Sequence, residues 1–246
     1  MRVDLKCGDC LEIMKDIPDN SIDMILCDLP YGTTACKWDV IIPFEPLWEQ
    51  YNRIIKDNGA IVLFGNEPFS SQLRMSNLKM YKYDWKWIKT KPSGHLNAKK
   101  QPLRSYEDIC VFYKKQCTYN PQNLIYGEFN NNRPSRSKKT KGNYTYGIEK
   151  DFGISKCKGY PKNLLNFSNG NNKLLHPTQK PVALLEYLIK TYTNENDLVL
   201  DNCMGSGSCG VAAINTNRNF IGIELDEKYF NIAKERIENE DSNYGD

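Results

Sequence analysis

Apolar and polar positions follow two rhythms along this chain. Short unbroken apolar runs bounded by turn formers read as strands buried on both faces: residues 3–7, 22–27, 60–64, 198–200 and 220–224. Between them lie stretches with the 3.6-residue period of helices. Residues 11–16 form a short turn. Residues 45–56 place Leu47, Trp48, Tyr51, Ile54 and Ile55 on one face and stop at Asn58-Gly59. Residues 69–78 form a further helix. Residues 182–192 carry Leu184, Leu185, Leu188 and Ile189, with Pro181 as the first helical residue. Residues 208–215 and 227–238 complete the set. A third pattern covers residues 81–88, where Tyr81, Tyr83, Trp85 and Trp87 alternate with polar residues including Lys82 and Lys86, as in a strand with one aromatic face. Residues 108–114 read as its antiparallel partner at the sheet edge. Strands alternating with helices predict an α/β fold: a doubly wound, mostly parallel sheet with an antiparallel edge and right-handed crossovers.

The rhythm breaks at residue 115. From there to residue 173 the chain is rich in Asn, Lys, Gly, Ser and Tyr, and residues 130–139 look loop-like. The expected organisation is therefore two halves of one domain, 1–114 and 174–246, around an inserted lobe at 115–173. A length of 246 residues suits one such domain.

Composition sharpens the picture. No run approaches 18 apolar residues, and the N-terminus lacks a signal peptide's apolar core, so a cytoplasmic protein with no membrane partner is expected. Nine cysteines include the pair Cys7 and Cys10, but the only histidines, His95 and His176, lie far away, so no metal is expected. The net charge of +3 hides an asymmetry. Residues 79–173 hold 20 Lys and Arg against 6 Asp and Glu, while the remainder holds 13 against 24. An acidic body with a basic middle third points to a polyanion docking on one face.

Two loops carry the chemistry. Asp28-Leu29-Pro30-Tyr31 closes the strand at 22–27. Asp201-Asn202-Cys203-Met204-Gly205-Ser206-Gly207 joins the strand at 198–200 to a helix. Together they resemble the DNA amino-methyltransferases, whose pattern is Asp/Asn/Ser-Pro-Pro-Tyr plus Asp-Pro-Phe-x-Gly-Ser-Gly. The catalytic-type loop comes first here, which matches the permuted beta class of that family. The resemblance covers residues 3–114 and 174–238. It departs from the family pattern at Leu29 and at Asn202-Cys203.

This resemblance implies a Rossmann-like, S-adenosylmethionine-dependent methyltransferase fold and assigns roles to residues. Asp9 and Cys10 would meet the cofactor's adenine, with capping of a helix as an equal alternative for Asp9. Glu224, followed by Leu225, would accept from the ribose hydroxyls. Asp201 would reach the amino-acid end, and Met204, Gly205, Ser206 and Gly207 would form the close-approach turn. Thr178 and Lys180, in His176-Pro177-Thr178-Gln179-Lys180-Pro181, would lie against the methionine part.

On the acceptor side, an exocyclic base amine is a poor nucleophile because its lone pair is delocalised. Asp28 and the Leu29 carbonyl would accept from its N–H groups, Pro30 would hold Leu29 extended, and Tyr31 would stack on the base. The base must leave the duplex, and Trp38 or Phe69 could help line its pocket. Lys89, Lys91, Lys99 and Lys100, with Arg133, Arg136, Lys138 and Lys139 of the lobe, would hold phosphates. An initial Asp leans toward adenine N6. The alternatives are cytosine N4, a protein glutamine side chain, and a catalytically silent DNA-binding module. Double-stranded DNA is the implied partner, and a homodimer and a companion restriction nuclease are further expectations.

Overall fold

The computed structural model describes residues 2–33, 39–130, 154–169 and 179–243. In chain order its strands are β1 (Val3–Cys7), β2 (Ile22–Cys27), β3 (Ile55–Gly65), β4 (Tyr81–Ser93), β5 (Arg104–Phe112), β6 (Ile125–Asn130), β7 (Ile154–Lys158), β8 (Leu164–Phe167), β9 (Leu198–Asp201) and β10 (Asn219–Glu224). The helices are α1 (Cys10–Ile13), α2 (Phe44–Ile54), α3 (Phe69–Ser76), α4 (Val182–Tyr192), α5 (Ser208–Asn215) and α6 (Glu227–Asn243). The main sheet has the order β1-β10-β9-β2-β3-β5-β4-β8, and β6 pairs with β7 separately.

Strand β2 shows why the central runs are apolar throughout. Met24 and Leu26 join one core with Leu184 and Leu188 of α4 and Val211 of α5. Ile25 and Cys27 join the other with Leu47 and Tyr51 of α2 and Phe69 of α3. Both faces are covered, so both sets of alternating positions are apolar.

Three expectations need correction. The helix expected over 45–56 ends at Ile54, because Ile55 is needed in the core and opens β3. Lys56 pairs with Asp23 at 2.7 Å, and the same carboxylate accepts from the Leu198 N–H at 3.0 Å, which ties β3, β2 and β9 together. Gly59 is therefore a strand residue: a Cβ there would lie 2.9 Å from the Asp23 carbonyl. Pro181 precedes α4 with an extended backbone, and the first helical residue is Val182.

Strands β4 and β5 form the expected antiparallel pair toward one edge of the sheet. β5 sits between β3 and β4, antiparallel to both, and β8 adds parallel to the outside of β4. Trp85 and Trp87 are buried there, with Trp85 donating to the Tyr192 hydroxyl at 2.7 Å and Trp87 to the Phe167 carbonyl at 2.9 Å. The third correction concerns the lobe. Cys117 lies in the core, and β8 belongs to the main sheet. The compact units are Met1–Asn120 with Lys162–Asp246, and Pro121–Pro161, so the separate piece is smaller than 115–173. Among the described residues, no helix is long and apolar enough to cross a membrane.

Candidate active site

Strands β2 and β9 are neighbours, with Met24 opposite Val199 and Ile25 opposite Leu200. After β2 the chain moves to β3 on one side; after β9 it moves to β10 on the other. The strand order reverses between them, and a crevice opens at the carboxyl ends of such a pair. Here it is a cavity of about 950 Å³, large enough for a nucleoside-sized ligand and a second group.

One wall comes from the turn after β9 and the end of β10. The Asp201 carboxylate accepts from the Cys203 N–H at 3.1 Å, and burial pushes its pKa up to about 7. Glu224 accepts from the Gly205 N–H at 2.8 Å and from the Asp226 N–H at 2.9 Å. These local bonds fold the turn around the carboxylate and orient it, while burial raises its pKa. Asp9 accepts from the Leu11 N–H at 2.8 Å, so it caps α1 and lines the cavity as well. Cys10, Met204, Gly205, Ser206 and the 68 % exposed Leu225 also line it.

Gly207 does not line the cavity. Its φ is +78°, and a Cβ there would meet Ala233 and Ile237 of α6 at 3.0 Å. Its role is close helix packing, not room for a ligand. Asn202, one departure from the family pattern, is buried and accepts from the Tyr51 hydroxyl at 2.6 Å. That bond to α2 anchors the turn where a proline would stiffen it.

The opposite wall is built from Asp28, Leu29, Pro30 and Tyr31, all in the cavity lining. The Tyr31 hydroxyl donates to Asp28 Oδ1 at 2.5 Å, and its ring packs against Phe69 with centroids 5.0 Å apart. Lys180 donates to Asp28 Oδ2 at 2.5 Å. Its ammonium also lies 3.2 Å from Glu107 Oε2, and Lys89 donates to Glu107 Oε1 at 3.0 Å. Two carboxylates and two ammonium groups thus form a mostly buried cluster with no net formal charge at the cavity wall. Burial pushes the Asp28 carboxyl up against the pull of Lys180. For Glu107 the balance reverses: despite burial, Lys180 and Lys89 hold it below the usual carboxylate range.

Two assignments change here. The Lys180 ammonium contacts two carboxylates on the Asp28 side, not a cofactor-side group. Lys89 is buried with Glu107 and is not a surface residue for phosphates. Lys91, Lys99 and Lys100 are exposed as expected. Thr178, His176, Trp38, Arg133, Arg136, Lys138 and Lys139 lie outside the described residues. Sequence reasoning missed Glu107, Tyr51 and Asp39. The Asp39 carboxylate accepts from the Gly32 and Thr33 N–H groups at 2.8 and 2.9 Å and closes the loop after Tyr31. Glu107 had one signal, that it and Asp108 form a pair of charges directly ahead of the buried run Ile109–Phe112. Asp39 and Tyr51 had none, because their partners are made by the fold.

The cavity fits S-adenosylmethionine. Glu224 suits a ribose diol, Asp201 an ammonium group, Asp9 an exocyclic amine, and Leu225 the flat face of a purine. A reversed α/β sheet whose crevice suits that cofactor on one wall and carries Asp28 on the other is the architecture of an S-adenosylmethionine-dependent methyltransferase.

The comparisons agree. The DNA methylase family model matches residues 22–235. The type II methyltransferase M.HpaI of Haemophilus parainfluenzae is 29% identical over 260 residues, spanning 96% of this chain and 74% of that protein. The DNA adenine methyltransferase YhdJ of Escherichia coli is 28% identical over 247 residues, spanning 94% and 81%. Among solved structures, the M1.HpyAVI–SAM complex superposes with a TM-score of 0.65 at 27% identity, covering 96% of this chain and 98% of that one. The chain belongs to the DNA methylase family, enzymes that transfer a methyl group from S-adenosylmethionine to DNA.

Proposed function

We propose that this chain methylates the N6 amino group of adenine within a specific double-stranded DNA sequence. The observation that carries this reading is Asp28: a carboxylate held by Tyr31 and Lys180 in the same cavity as Glu224 and Asp201. The adenine specificity of YhdJ supports the same acceptor.

Bound S-adenosylmethionine supplies the electrophilic methyl group. The residues of this chain act on the other reactant. Asp28 and the Leu29 carbonyl accept from the amine N–H groups and favour a more tetrahedral nitrogen, whose lone pair forms the new N–C bond as the S–C bond breaks. The surplus N–H proton then leaves the nitrogen, with Asp28 or water as acceptor. Much of the rate comes from holding the amine in line with the methyl group. The flipped base enters against Tyr31, whose other neighbour is Phe69.

Target reading is part of the proposal and falls to the unit Pro121–Pro161. The exposed Tyr126, Tyr160, Lys156 and Lys158 there suit bases and phosphates. So does the run containing Arg133, Arg136, Lys138 and Lys139. A homodimer and a companion nuclease complete the reading; sedimentation of the purified chain tests the first. Methylation-aware sequencing of DNA from cells expressing the chain tests the reaction. One sequence carrying N6-methyladenine is expected. N4-methylcytosine would replace the acceptor, and unmodified DNA from an expressed, folded chain would overturn the reading.

A further inference from the structure

We propose that Lys180 and Glu107 are positioning residues of the methyl-transfer step, with Lys180 setting the charge and orientation of Asp28 and Glu107 setting those of Lys180. The inference rests on the proposed DNA-methylating function and concerns how its acceptor clamp is held.

The geometry is specific. Lys180 leaves the segment just before α4, Asp28 the end of β2, Glu107 the middle strand β5, and Lys89 the neighbouring strand β4. The β4–β5 pair and two segments distant from it in sequence converge on one mostly buried cluster. The Lys180 side chain is only 8% exposed and among the described residues touches no anion besides Asp28 and Glu107, with its ammonium 5.1 Å from the centre of the Phe64 ring and 5.9 Å from that of Tyr31. Asp28 has both oxygens engaged, Oδ1 by Tyr31 and Oδ2 by Lys180, which fixes the carboxylate plane. The lone pairs left over are the ones available to an acceptor amine.

Glu107 is needed because Lys180 alone would be one cation shared with a carboxylate that is also asked to bind substrate. Its Oε1 is taken by Lys89, which also reaches Ser93 Oγ at 3.1 Å. Its Oε2 lies 3.2 Å from Lys180 and has no hydrogen bond of good geometry, although buried. That oxygen therefore holds the ammonium electrostatically and leaves its N–H vectors to Asp28. The charges facing Asp28 are Lys180 and Glu107, with the Tyr31 hydroxyl, Asp201 on the neighbouring strand and the neutral Cys27 thiol; Lys89 stands behind Glu107. Against the burial that would lower it, Asp28 and Glu107 push the Lys180 ammonium up to about 12, so it stays charged at any working pH. A permanent cation beside Asp28 opposes the burial that raises it and favours the ionised, accepting form.

The test is ¹³C-carboxyl NMR titration of Asp28, its signal assigned by its disappearance in Asp28→Asn, alongside single-turnover methylation of duplex DNA and calorimetry with S-adenosylmethionine. In Lys180→Met the Asp28 titration should move up by about one pH unit or more, the range for removing an opposite charge at close range. The acidic limb of the pH–rate profile should follow it, with the plateau rate down by about a hundredfold. Cofactor affinity should change less than threefold. Glu107→Gln should shift Asp28 the opposite way, downward, because it removes a negative neighbour. Lys180→Arg should keep the wild-type titration and recover most of the rate. A role in packing alone would lower the rate at every pH and leave the titration in place.

Unmoved Asp28 titration in both Lys180→Met and Glu107→Gln overturns the proposal. So does a Lys180→Met protein with weakened cofactor binding and an unchanged rate at saturation, which would make Lys180 a cofactor-binding residue. If Lys180→Met does not fold, the downward shift in Glu107→Gln against the wild-type titration in Lys180→Arg is the test, and an unmoved Asp28 titration in Glu107→Gln overturns the proposal. The NMR titration needs no DNA, so a wild-type chain that methylates no DNA would sink the proposed function separately from this clamp.

Discussion

The two walls of the crevice are built by opposite means. On the cofactor side, the carboxylates are oriented by backbone N–H groups: Asp201 by Cys203, Asp9 by Leu11 and Glu224 by Asp226, each two residues away, with Gly205 on Glu224 from the turn after the neighbouring strand. On the acceptor side, Asp28 is oriented by side chains, Tyr31 three residues away and Lys180 152 residues away, with Glu107 behind it. Backbone turns resist substitution nearby, because the N–H groups do not change with the side chain. A side-chain cluster fails when any member is removed, because the partner is left buried and unpaired. The cofactor wall should therefore lose affinity in steps, and the acceptor wall should lose chemistry at once.

The largest expected effect breaks the acceptor wall. Asp28→Ala should abolish methyl transfer, a drop of at least about a thousandfold in single-turnover rate, and leave S-adenosylmethionine binding within a few-fold, since it removes a group used at the reacting amine. Near-normal turnover by the folded variant would dismiss Asp28 as the clamp.

Glu224→Ala is the matching cut on the other wall. It should weaken cofactor binding by roughly 1.5–3 kcal/mol for each charge-assisted bond removed, less what water restores, and lower thermal stability because the Gly205 and Asp226 N–H groups are deprived of their acceptor. Unchanged affinity by calorimetry would reduce Glu224 to a turn-forming residue.

Asp201 sharpens the contrast through pH. Its folded pKa is raised to about 7 by burial, so without ligand the folded state holds this proton more tightly than the unfolded chain does. Its contribution to stability is greatest below the ordinary carboxylate pKa and declines as pH rises to about 7. Cofactor binding has the opposite sign. An ammonium group placed at Asp201 requires the carboxylate, so affinity should fall on acidification below pH about 7, by up to about tenfold per unit, with proton release on binding. Asp201→Asn should flatten the dependence. A flat wild-type profile would mean that Asp201 serves the turn alone.

The smallest effects lie at the margins of the comparison. Tyr51→Phe removes the buried bond to Asn202 and should cost about 1–3 kcal/mol of stability, seen as a lower melting temperature with a modest decrease in cofactor affinity. Neutralising Lys91, Lys99 and Lys100 together should make the logarithmic salt dependence of DNA binding shallower, by up to about 0.9 for each phosphate that is no longer neutralised. An unaltered slope would confine DNA binding to the unit Pro121–Pro161 and the neighbouring basic run.

Much of the sheet was legible because its signals are local. β1, β2 and α5 have the boundaries that their residue patterns predict, and β10 differs by one residue. Errors arose where a local signal competed with a distant one. Asn58-Gly59 reads as a helix stop, but Asp23 and the core claim Lys56 and Ile55 for a strand. The polar composition after residue 115 reads as one lobe, yet Leu164–Phe167 pairs with β4 because Trp87 needs a cover and an acceptor. Gly207 reads as cofactor space, and only the approach of α6 shows otherwise.

The sequence by itself marked the reaction class and the turns proposed to hold the cofactor, because the bonds from Cys203 to Asp201, Leu11 to Asp9 and Asp226 to Glu224 each span two residues. It also marked Asp28 and Tyr31. What only the tertiary structure decided is how Asp28 is held. Lys89 and Glu107 meet across one antiparallel pair, and no spacing along the chain connects that pair to Lys180 or Asp28. Charges of that kind tolerate burial only when the fold brings their partners close enough to pair, so their meaning exists only once the sheet has formed.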